Sequence, residues 1–385
     1  MTNIAAAVGP QYGFGLYVHW PYCTKICPYC DFNVYAAKDR DTEPLLKAIL
    51  ADIGRHRDLM PSHPPLDSIF LGGGTPSLLK PQDLSLLLDE ADHQFGLKPG
   101  AEITLEANPN DVLRETLSDW ASAGVNRLSL GVQSLNDKAL SFLGRDHDRA
   151  AARQAIEKVQ AVFDNHSLDL IYARPDQSVE DWEHELGAVL DFGAPHLSLY
   201  ELTIEDRTAF GKRAARGDLV PLDEDGQADL YEVTQTLCEN AGLPAYEVSN
   251  HARAPQFQST HNQIYWNSGD WIGVGPGAHG RLTIKGQRHA SEAPRRPADY
   301  IASSCVQAQS LPLVDVAREL MSMGLRPTQG LHLDRLEQLL GPMTRTDELN
   351  DLWKSGWVDL EEGWLRLAPR GRLLADHITS ILDPG

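Results

Sequence analysis

The chain has 385 residues, 42% of them hydrophobic and 23% charged, which suits one large domain with a smaller one beside it, or two to three domains. The net charge of −20 argues against a broad nucleic-acid surface, because phosphate binding depends on Lys and Arg. No apolar run approaches the roughly 20 residues of a membrane helix, and the N-terminus lacks the pattern of a signal peptide. Five cysteines in so long a chain do not form a disulfide framework, which predicts a reducing compartment and a cytoplasmic protein.

Three of the five cysteines form a CxxxCxxC window at Cys23, Cys27 and Cys30. Thiolates this close in sequence can bind one metal centre. A closed zinc site needs four ligands, and none follows Cys30 at zinc-site spacing. Buried thiols without a metal have no reason to cluster at these gaps. The window therefore favours a 4Fe-4S cluster in which one iron lacks a protein ligand and is free to hold a small molecule.

Strand and helix patterns alternate after this window. A helical stripe predicts a helix over residues 41–56, and the apolar run in LDSIFLGGGTPS predicts a buried strand that ends in glycines. Leucines at helical spacing predict a second helix, which Gly96 ends. Further strands are predicted at residues 102–108, 127–134, 168–173 and 196–203, with helices between them. The alternation indicates parallel βα units, which form either an open doubly wound sheet or a barrel.

The pattern changes in the last part of the chain. A helix is predicted over residues 225–241, followed by an aromatic, Gly-rich region. From residue 311, two helical stretches and a hairpin that turns at Glu361–Gly363 predict a winged-helix-like module. This module has no basic stripe, so it is interpreted as a packing or substrate-covering unit. The predicted divisions are residues 1–245, 246–310 and 311–385.

The cysteine window resembles the radical SAM family, whose CxxxCxxC loop holds a 4Fe-4S cluster with S-adenosylmethionine on the fourth iron. Tyr17, His19, Pro21 and Tyr29 are similar to the branch that contains oxygen-independent coproporphyrinogen III oxidase and the HemW-like heme chaperones. The resemblance implies an α/β fold with a partial (β/α)6 barrel, followed by the small α+β winged-helix-like domain. It also implies that the three cysteines are the cluster ligands.

The same resemblance implies a set of cofactor contacts. GGGTPS could be only a tight turn, but it resembles the glycine motif that meets the amino group of the cofactor's methionine moiety. Glu106 is a second implied contact, and the alternative to a cofactor contact is an exposed or capping carboxylate. A functional role for Asp169 has independent support, because a lone Asp in an apolar strand is costly unless it is hydrogen-bonded or faces a ligand. The alternative role for Asp169 is a structural salt bridge to Arg145. The implied contacts are Tyr17, Tyr29, Gly73, Gly74, Thr75, Glu106, Gln133, Arg145 and Asp169.

HNQIYW, at residues 261–266, matches the HNxxYW signature that this branch associates with heme. A lone histidine is more often hydrogen-bonded in a loop above packed aromatic neighbours. Here an imidazole capable of axial ligation lies beside two flat rings that suit a porphyrin face. We therefore predict His261 as a heme ligand, with His279 as a weaker rival in a glycine-rich turn.

Two features favour the chaperone over the oxidase. The oxidase motif has a fourth cysteine where this chain has Phe32, and only 22 residues precede Cys23. This chain departs from the whole branch at residues 173–178, where it has ARPDQS in place of the usual GLPGQT. Loss of both glycines changes how closely that turn can approach a ligand.

Three functions follow, in order of preference. The first is a HemW-like heme chaperone that binds heme, a 4Fe-4S cluster and S-adenosylmethionine and delivers heme to recipient hemoproteins, respiratory enzymes among them. The second is an oxygen-independent coproporphyrinogen III dehydrogenase that decarboxylates two propionates to vinyls. The third is a radical SAM enzyme with another substrate, which leaves HNQIYW unexplained. No catalytic residue is assigned, no nucleic-acid partner or transmembrane segment is expected, and a homodimer is left open.

Overall fold

The structure is a computed structural model that describes residues 4–37, 41–114, 116–303, 305–342 and 345–384. Its strands are β1 Phe14–Trp20, β2 Tyr22–Cys23, β3 Tyr35–Ala36, β4 Leu66–Gly73, β5 Leu97–Ala107, β6 Arg127–Gln133, β7 His166–Tyr172, β8 His196–Glu201, β9 Asn250–Ala252, β10 Asp270–Val274, β11 His279–Ile284, β12 Gln287–Glu292, β13 Ala308–Ser310, β14 Leu331–His332, β15 Val358–Glu361 and β16 Trp364–Leu367.

The helices connect these strands and cover the outside of the main sheet. They are α1 Ile4–Ala7, α2 Glu43–Leu59, α3 Pro81–Phe95, α4 Pro109–Arg114, α5 Leu117–Ala123, α6 Asp137–Phe142, α7 Arg149–Gln160, α8 Val179–Leu190, α9 Ala209–Ala214, α10 Glu224–Asn240, α11 Thr260–Trp266, α12 Pro297–Ala302, α13 Leu313–Gly324, α14 Leu333–Leu340, α15 Thr346–Lys354 and α16 Ala375–Ile381. Short 3-10 helices lie at Pro10–Tyr12, Pro76–Leu78, Pro255–Phe257 and Pro369–Leu374.

Six parallel strands form the centre of the molecule. They lie side by side in the order β1, β4, β5, β6, β7, β8, and α2, α3, α5, α7 and α8 carry the chain between them. In the part of the chain that the structure describes, the sheet ends at β13 on one side and β9 on the other, so it does not close. The predicted partial barrel of six βα units is confirmed.

Side chains alternate between two environments along the barrel strands, as the pleat requires. On β6, Leu128, Leu130 and Val132 face outward into the main apolar core, against the helices. The intervening residues Arg127 and Ser129 face the lumen. The same alternation on the other strands gives the barrel an apolar outside and a polar inside.

Residues 246–310 extend the same sheet on both sides. β9 pairs antiparallel with β8, and β10 pairs parallel with β1 at the opposite edge. β11, β12 and β13 follow β10 as an antiparallel meander. The strands of this region are therefore part of the main sheet. The division of the chain at residues 246–310 stays a prediction.

The C-terminal module consists of α13 to α16 with a three-stranded sheet in the order β14, β16, β15. The predicted hairpin is present, and its turn has positive φ at Glu362 (49°) and Gly363 (82°), as a two-residue type I′ turn needs. A separate apolar core fills the module, and Ala7 and Val8 from the N-terminal segment pack into it. Among the described residues, no helix is both long and apolar enough to cross a bilayer.

Candidate functional site

A cavity of about 600 Å³ runs from the carboxyl ends of the parallel strands into the barrel. Its lining includes all three predicted cluster ligands, all nine predicted cofactor contacts and the preferred heme ligand. These residues are Tyr17, Cys23, Cys27, Tyr29, Cys30, Gly73, Gly74, Thr75, Glu106, Gln133, Arg145, Asp169 and His261. The structure thus brings together residues from six strands, three loops and helix α11, and their individual roles stay predictions.

The three cysteines of the window are free thiols at the mouth of the cavity. Cys23 is buried, whereas Cys27 and Cys30 are half-buried. Burial raises the pKa of Cys23, and it raises the pKa of Cys30 to about 11, so both thiols keep their protons at neutral pH until a metal displaces them. Three thiols suit an iron–sulfur cluster. No group of three His, Cys, Asp or Glu side chains in the described ranges is placed to hold a single metal ion.

Arg145 joins the cysteine loop to the barrel. Its Nη1 donates towards Cys27 Sγ and Tyr29 Oη, each at 3.4 Å. Its Nη2 donates to Gly131 O at 3.1 Å and to Asn108 Oδ1. The remaining Nε is buried and has no hydrogen-bond partner in the described part of the chain. An unsatisfied buried donor beside the thiols is consistent with a ligand site at this point. The alternative salt bridge to Asp169 is not formed, because the guanidinium is directed to these other groups.

The glycine motif packs directly on the backbone that leads to Cys23. Gly74 N donates to Trp20 O at 2.7 Å, and Thr75 N donates to Tyr22 O at 2.9 Å. A Cβ on Gly74 would lie 2.8 Å from both of these carbonyl oxygens, which no side chain tolerates. The motif is therefore a close-packed turn, as the simpler interpretation predicts, and that turn also lines the cavity.

Two of the acidic residues that line the cavity, Glu106 and Asp169, are predicted cofactor contacts. Glu106 accepts a hydrogen bond from Gly73 N at 3.1 Å, and burial together with the charge of Asp169 raises its pKa to about 7. Asp169 accepts from Ser129 Oγ and Ser167 Oγ, each at 2.7 Å, and burial raises its pKa as well. The hydrogen bonds to Asp169 explain how an apolar strand carries a carboxylate.

The HNQIYW motif forms α11, and His261 is 1% exposed at the inner end of the cavity. Its Nδ1 is 2.8 Å from Ser68 Oγ, and its Nε2 is 2.6 Å from Tyr265 Oη. The ring stacks on Phe70 at 5.3 Å between centroids. Burial lowers the pKa of His261 to about 3, so the imidazole is neutral, as a metal ligand must be.

The rival ligand His279 lies elsewhere. Its side chain is half-exposed, with Nε2 3.9 Å from Glu292 Oε1, and it is not part of the cavity lining. Its glycine-rich surroundings are explained by packing, since a Cβ on Gly275 would lie 2.2 Å from His19 O.

Sequence reasoning missed several polar residues that shape the site. Ser68 contacts His261, and Asn108 contacts both Arg145 and Thr75. Glu102 accepts hydrogen bonds from Thr260 N at 3.0 Å and His261 N at 3.2 Å, so it holds the start of α11. A signal for Glu102 exists, because it is four residues before Glu106 on one strand and therefore faces the same side.

Comparisons with known proteins agree with this geometry. The model of the radical SAM superfamily matches residues 17–187. The heme chaperone HemW of Haemophilus influenzae is 36% identical, over 85% of this chain and 86% of that protein. The chain belongs to the radical SAM family, in the group that includes HemW. A Dictyostelium discoideum relative, radical S-adenosyl methionine domain-containing protein 1, mitochondrial, is 35% identical over 94% of this chain and 93% of its own length.

The fold of this radical SAM protein matches that of a solved relative. Coproporphyrinogen III oxidase (HemN) from Escherichia coli, described as a radical SAM enzyme, superposes with a TM-score of 0.80. The match covers 98% of this chain and 92% of HemN at 22% identity, so it establishes the shared fold.

The departure from the usual glycine-rich turn leaves the radical SAM cavity intact. Ala173 and Asp176, which replace the two glycines, have φ of 55° and 60°, so the turn keeps the backbone conformation that glycine favours. Arg174 forms a buried ion pair with Glu185 and donates to Ile171 O at 2.8 Å, which holds the turn in place. The turn lies outside the cavity lining.

Proposed function

We propose that the chain is a HemW-like heme chaperone that binds heme together with a 4Fe-4S cluster and S-adenosylmethionine and delivers the heme to hemoproteins. The observation that carries this proposal is the neutral imidazole of His261, which faces the same cavity as three free thiols. The names of its relatives support the proposal, since several at 34–38% identity are heme chaperones.

The mouth of the cavity would hold the cofactors. Cys23, Cys27 and Cys30 would ligate the cluster, and a reduced cluster supplies one electron to bound S-adenosylmethionine. Arg145 would place its positive charge beside the ligating sulfurs and Tyr29. The glycine motif, whose Gly73 and Gly74 line the cavity without side chains of their own, and the partly protonated Glu106 would position the methionine end, and Tyr17, Gln133 and Asp169 complete the proposed contact set.

The inner end of the cavity would hold the cargo. His261 is neutral throughout the physiological pH range and lies at the start of a helix that Glu102 fixes to the barrel. The rings of Phe70 and Tyr17 lie beside the imidazole, with centroids 5.3 Å and 6.3 Å from it, and both residues line the cavity. The recipients would be hemoproteins, respiratory enzymes among them. A cytoplasmic location is part of this proposal, since the thiols must stay reduced to bind iron.

A second candidate, coproporphyrinogen III dehydrogenase, is favoured by one observation: the chain shares the fold of HemN over nearly its whole length. Against it, Phe32 stands where the oxidase motif has its fourth cysteine, and its side chain is 62% exposed at the cavity. A thiol-dependent step at that position is unavailable to this chain.

A delivery assay separates the two candidates. The anaerobically reconstituted protein is loaded with heme, mixed with an apo-hemoprotein and separated by size, with Cys27→Ser as the cluster-free comparison. We expect heme to move to the recipient, and to move more slowly from Cys27→Ser. A parallel incubation with coproporphyrinogen III, S-adenosylmethionine and a reductant should give no divinyl product. Heme that fails to transfer, together with conversion of the porphyrinogen, would establish the dehydrogenase instead.

A further inference from the structure

The two ring nitrogens of His261 are already occupied. Nδ1 lies 2.8 Å from Ser68 Oγ on β4, and Nε2 lies 2.6 Å from Tyr265 Oη, one turn further along α11. Ser68 is completely buried and His261 is 1% exposed, so water does not substitute for either contact. An iron atom that approaches this imidazole therefore meets a nitrogen that is hydrogen-bonded to a tyrosine.

The partners of the ring favour one tautomer. A phenol is a stronger hydrogen-bond donor and a weaker acceptor than an alcohol, so Tyr265 donates to Nε2 and the Nδ1–H donates to Ser68. Burial keeps the Tyr265 hydroxyl protonated, because it raises the pKa of that group. Ser68 thus directs the free electron pair to Nε2, and that nitrogen is covered by Tyr265, which lines the cavity, whereas Ser68 does not.

We propose that Tyr265 is a gate on the heme ligand: its hydroxyl competes with iron for His261 Nε2 and must turn away before heme is ligated. This inference rests on the proposed heme-binding function and adds a step that controls the ligation of heme by His261. The hydroxyl of Tyr265 is held by this one hydrogen bond in the described part of the chain. Its ring packs edge-on against Trp271 at 4.5 Å and against His261 at 4.7 Å and borders the cavity, so a swing of the whole side chain towards the cavity uncovers Nε2.

The gate makes two measurable differences. Removing the hydroxyl abolishes the competing hydrogen bond, so Tyr265→Phe should bind heme about fivefold more tightly. The gate also limits the rate: in the wild-type protein the observed association rate should reach a plateau as the heme concentration rises, and the plateau should disappear in Tyr265→Phe. A residue that only supports packing would change neither the plateau nor the affinity in this direction.

The test is an anaerobic heme titration with stopped-flow absorbance on the reconstituted full-length protein. Tyr200→Phe is the matched control, because Tyr200 lines the same cavity but does not contact His261. The double variant Tyr265→Phe/His261→Ala establishes whether any gain runs through His261, and equal cluster absorbance in all variants shows that they fold.

We expect Tyr265→Phe to bind heme more tightly and without a plateau in the association rate. The double variant should lose this gain, and Tyr200→Phe should not show it. Unchanged or weaker binding in Tyr265→Phe, with heme still bound by the wild-type protein, would overturn the gate and leave the chaperone function standing. Loss of the heme spectrum in Tyr265→Phe alone would also overturn it, since Tyr265 would then be the ligand. A wild-type protein that binds no heme would instead refute the proposed function.

Discussion

Glu106 shows how the cavity changes the chemistry of a single side chain. Protein atoms surround its carboxyl group, and the nearby charge of Asp169 adds to the cost of ionisation, so its pKa rises to about 7 from the usual value of 4.5. The folded protein therefore holds an extra proton between these two values. Its free energy of unfolding falls as pH rises through this window, because the unfolded chain releases that proton more readily.

Glu106→Gln should remove this dependence. We expect the metal-free variant to gain on the order of 3 kcal/mol over the wild type at pH 8 and to lose the advantage below pH 5. Urea unfolding at several pH values measures this difference in the free energy of unfolding, with Glu361→Gln in the exposed hairpin as the control. A constant difference between variant and wild type across this range would contradict the buried-carboxyl explanation.

The sequence motifs identified residues of the cavity but not the contacts between them. His261 was predicted from HNQIYW, whereas its partner Ser68 is 193 positions away, in the apolar part of β4 before the glycine motif. Hydrogen bonds of this kind depend on the register of neighbouring strands, which one sequence does not specify.

At the scale of single elements, α11 illustrates how the barrel positions His261. The helix has only seven residues, and its first N–H groups donate to Glu102 on β5. Glu102 lies 3.9 Å from Arg127 Nε, which offsets part of its buried charge. The position of His261 therefore depends on a carboxylate that is not itself part of the cavity lining.

Glu102→Gln should displace α11 without touching its aromatic residues. An amide has one acceptor oxygen, so the two N–H groups compete for it and the NH2 group opposes the other. We expect a loss of roughly 1–3 kcal/mol in the free energy of unfolding, together with a severalfold weaker affinity for heme. Asp223→Asn, at the start of α10 and far from the cavity, is the matched control. Undiminished heme affinity in Glu102→Gln would show that α11 does not need this anchor.

The order and type of the barrel elements were predictable because their apolar patterns are strong. α2 spans Glu43–Leu59 against a predicted 41–56, whereas β5 begins at Leu97, five residues before the predicted start. The early part of β5 contains Lys98, Pro99 and Gly100, which hide a strand from any apolar pattern. The apolar patterns did not distinguish an open doubly wound sheet from a barrel, because both consist of parallel βα units. The expectation of a partial barrel came from the family resemblance.

At the scale of the whole molecule, the C-terminal module is attached to the barrel by polar contacts. Arg326 donates to the fully buried Glu247 at 3.0 Å, and Arg281 forms a two-pronged pair with Glu319 at 2.7–3.0 Å. Arg335 donates to Asn267 O at 2.6 Å, at the end of α11. The module therefore braces the region that carries the proposed heme ligand.

Arg326→Ala should weaken the molecule strongly, because it leaves the charge of Glu247 buried without its cationic partner. We expect a loss of roughly 3 kcal/mol in the free energy of unfolding. Arg318→Ala, which breaks an exposed pair with Asp383 inside the module, should have a much smaller effect. Equal effects of the two substitutions in chemical unfolding would contradict the bracing role of Arg326.

The attachment of the module could not be predicted, since it depends on contacts such as that between Arg326 and Glu247, 79 positions apart. The composition of each part was informative, but it does not specify how separate units pack.

The central claim is that His261 binds heme inside the radical SAM cavity. An anaerobic heme titration of the cluster-reconstituted protein, its His261→Ala variant and a His279→Ala control tests it directly. We predict near-stoichiometric binding with the absorbance of a histidine-ligated heme, lost in His261→Ala and retained in His279→Ala. Saturable binding that survives in His261→Ala, or none in the wild-type protein, would contradict the claim.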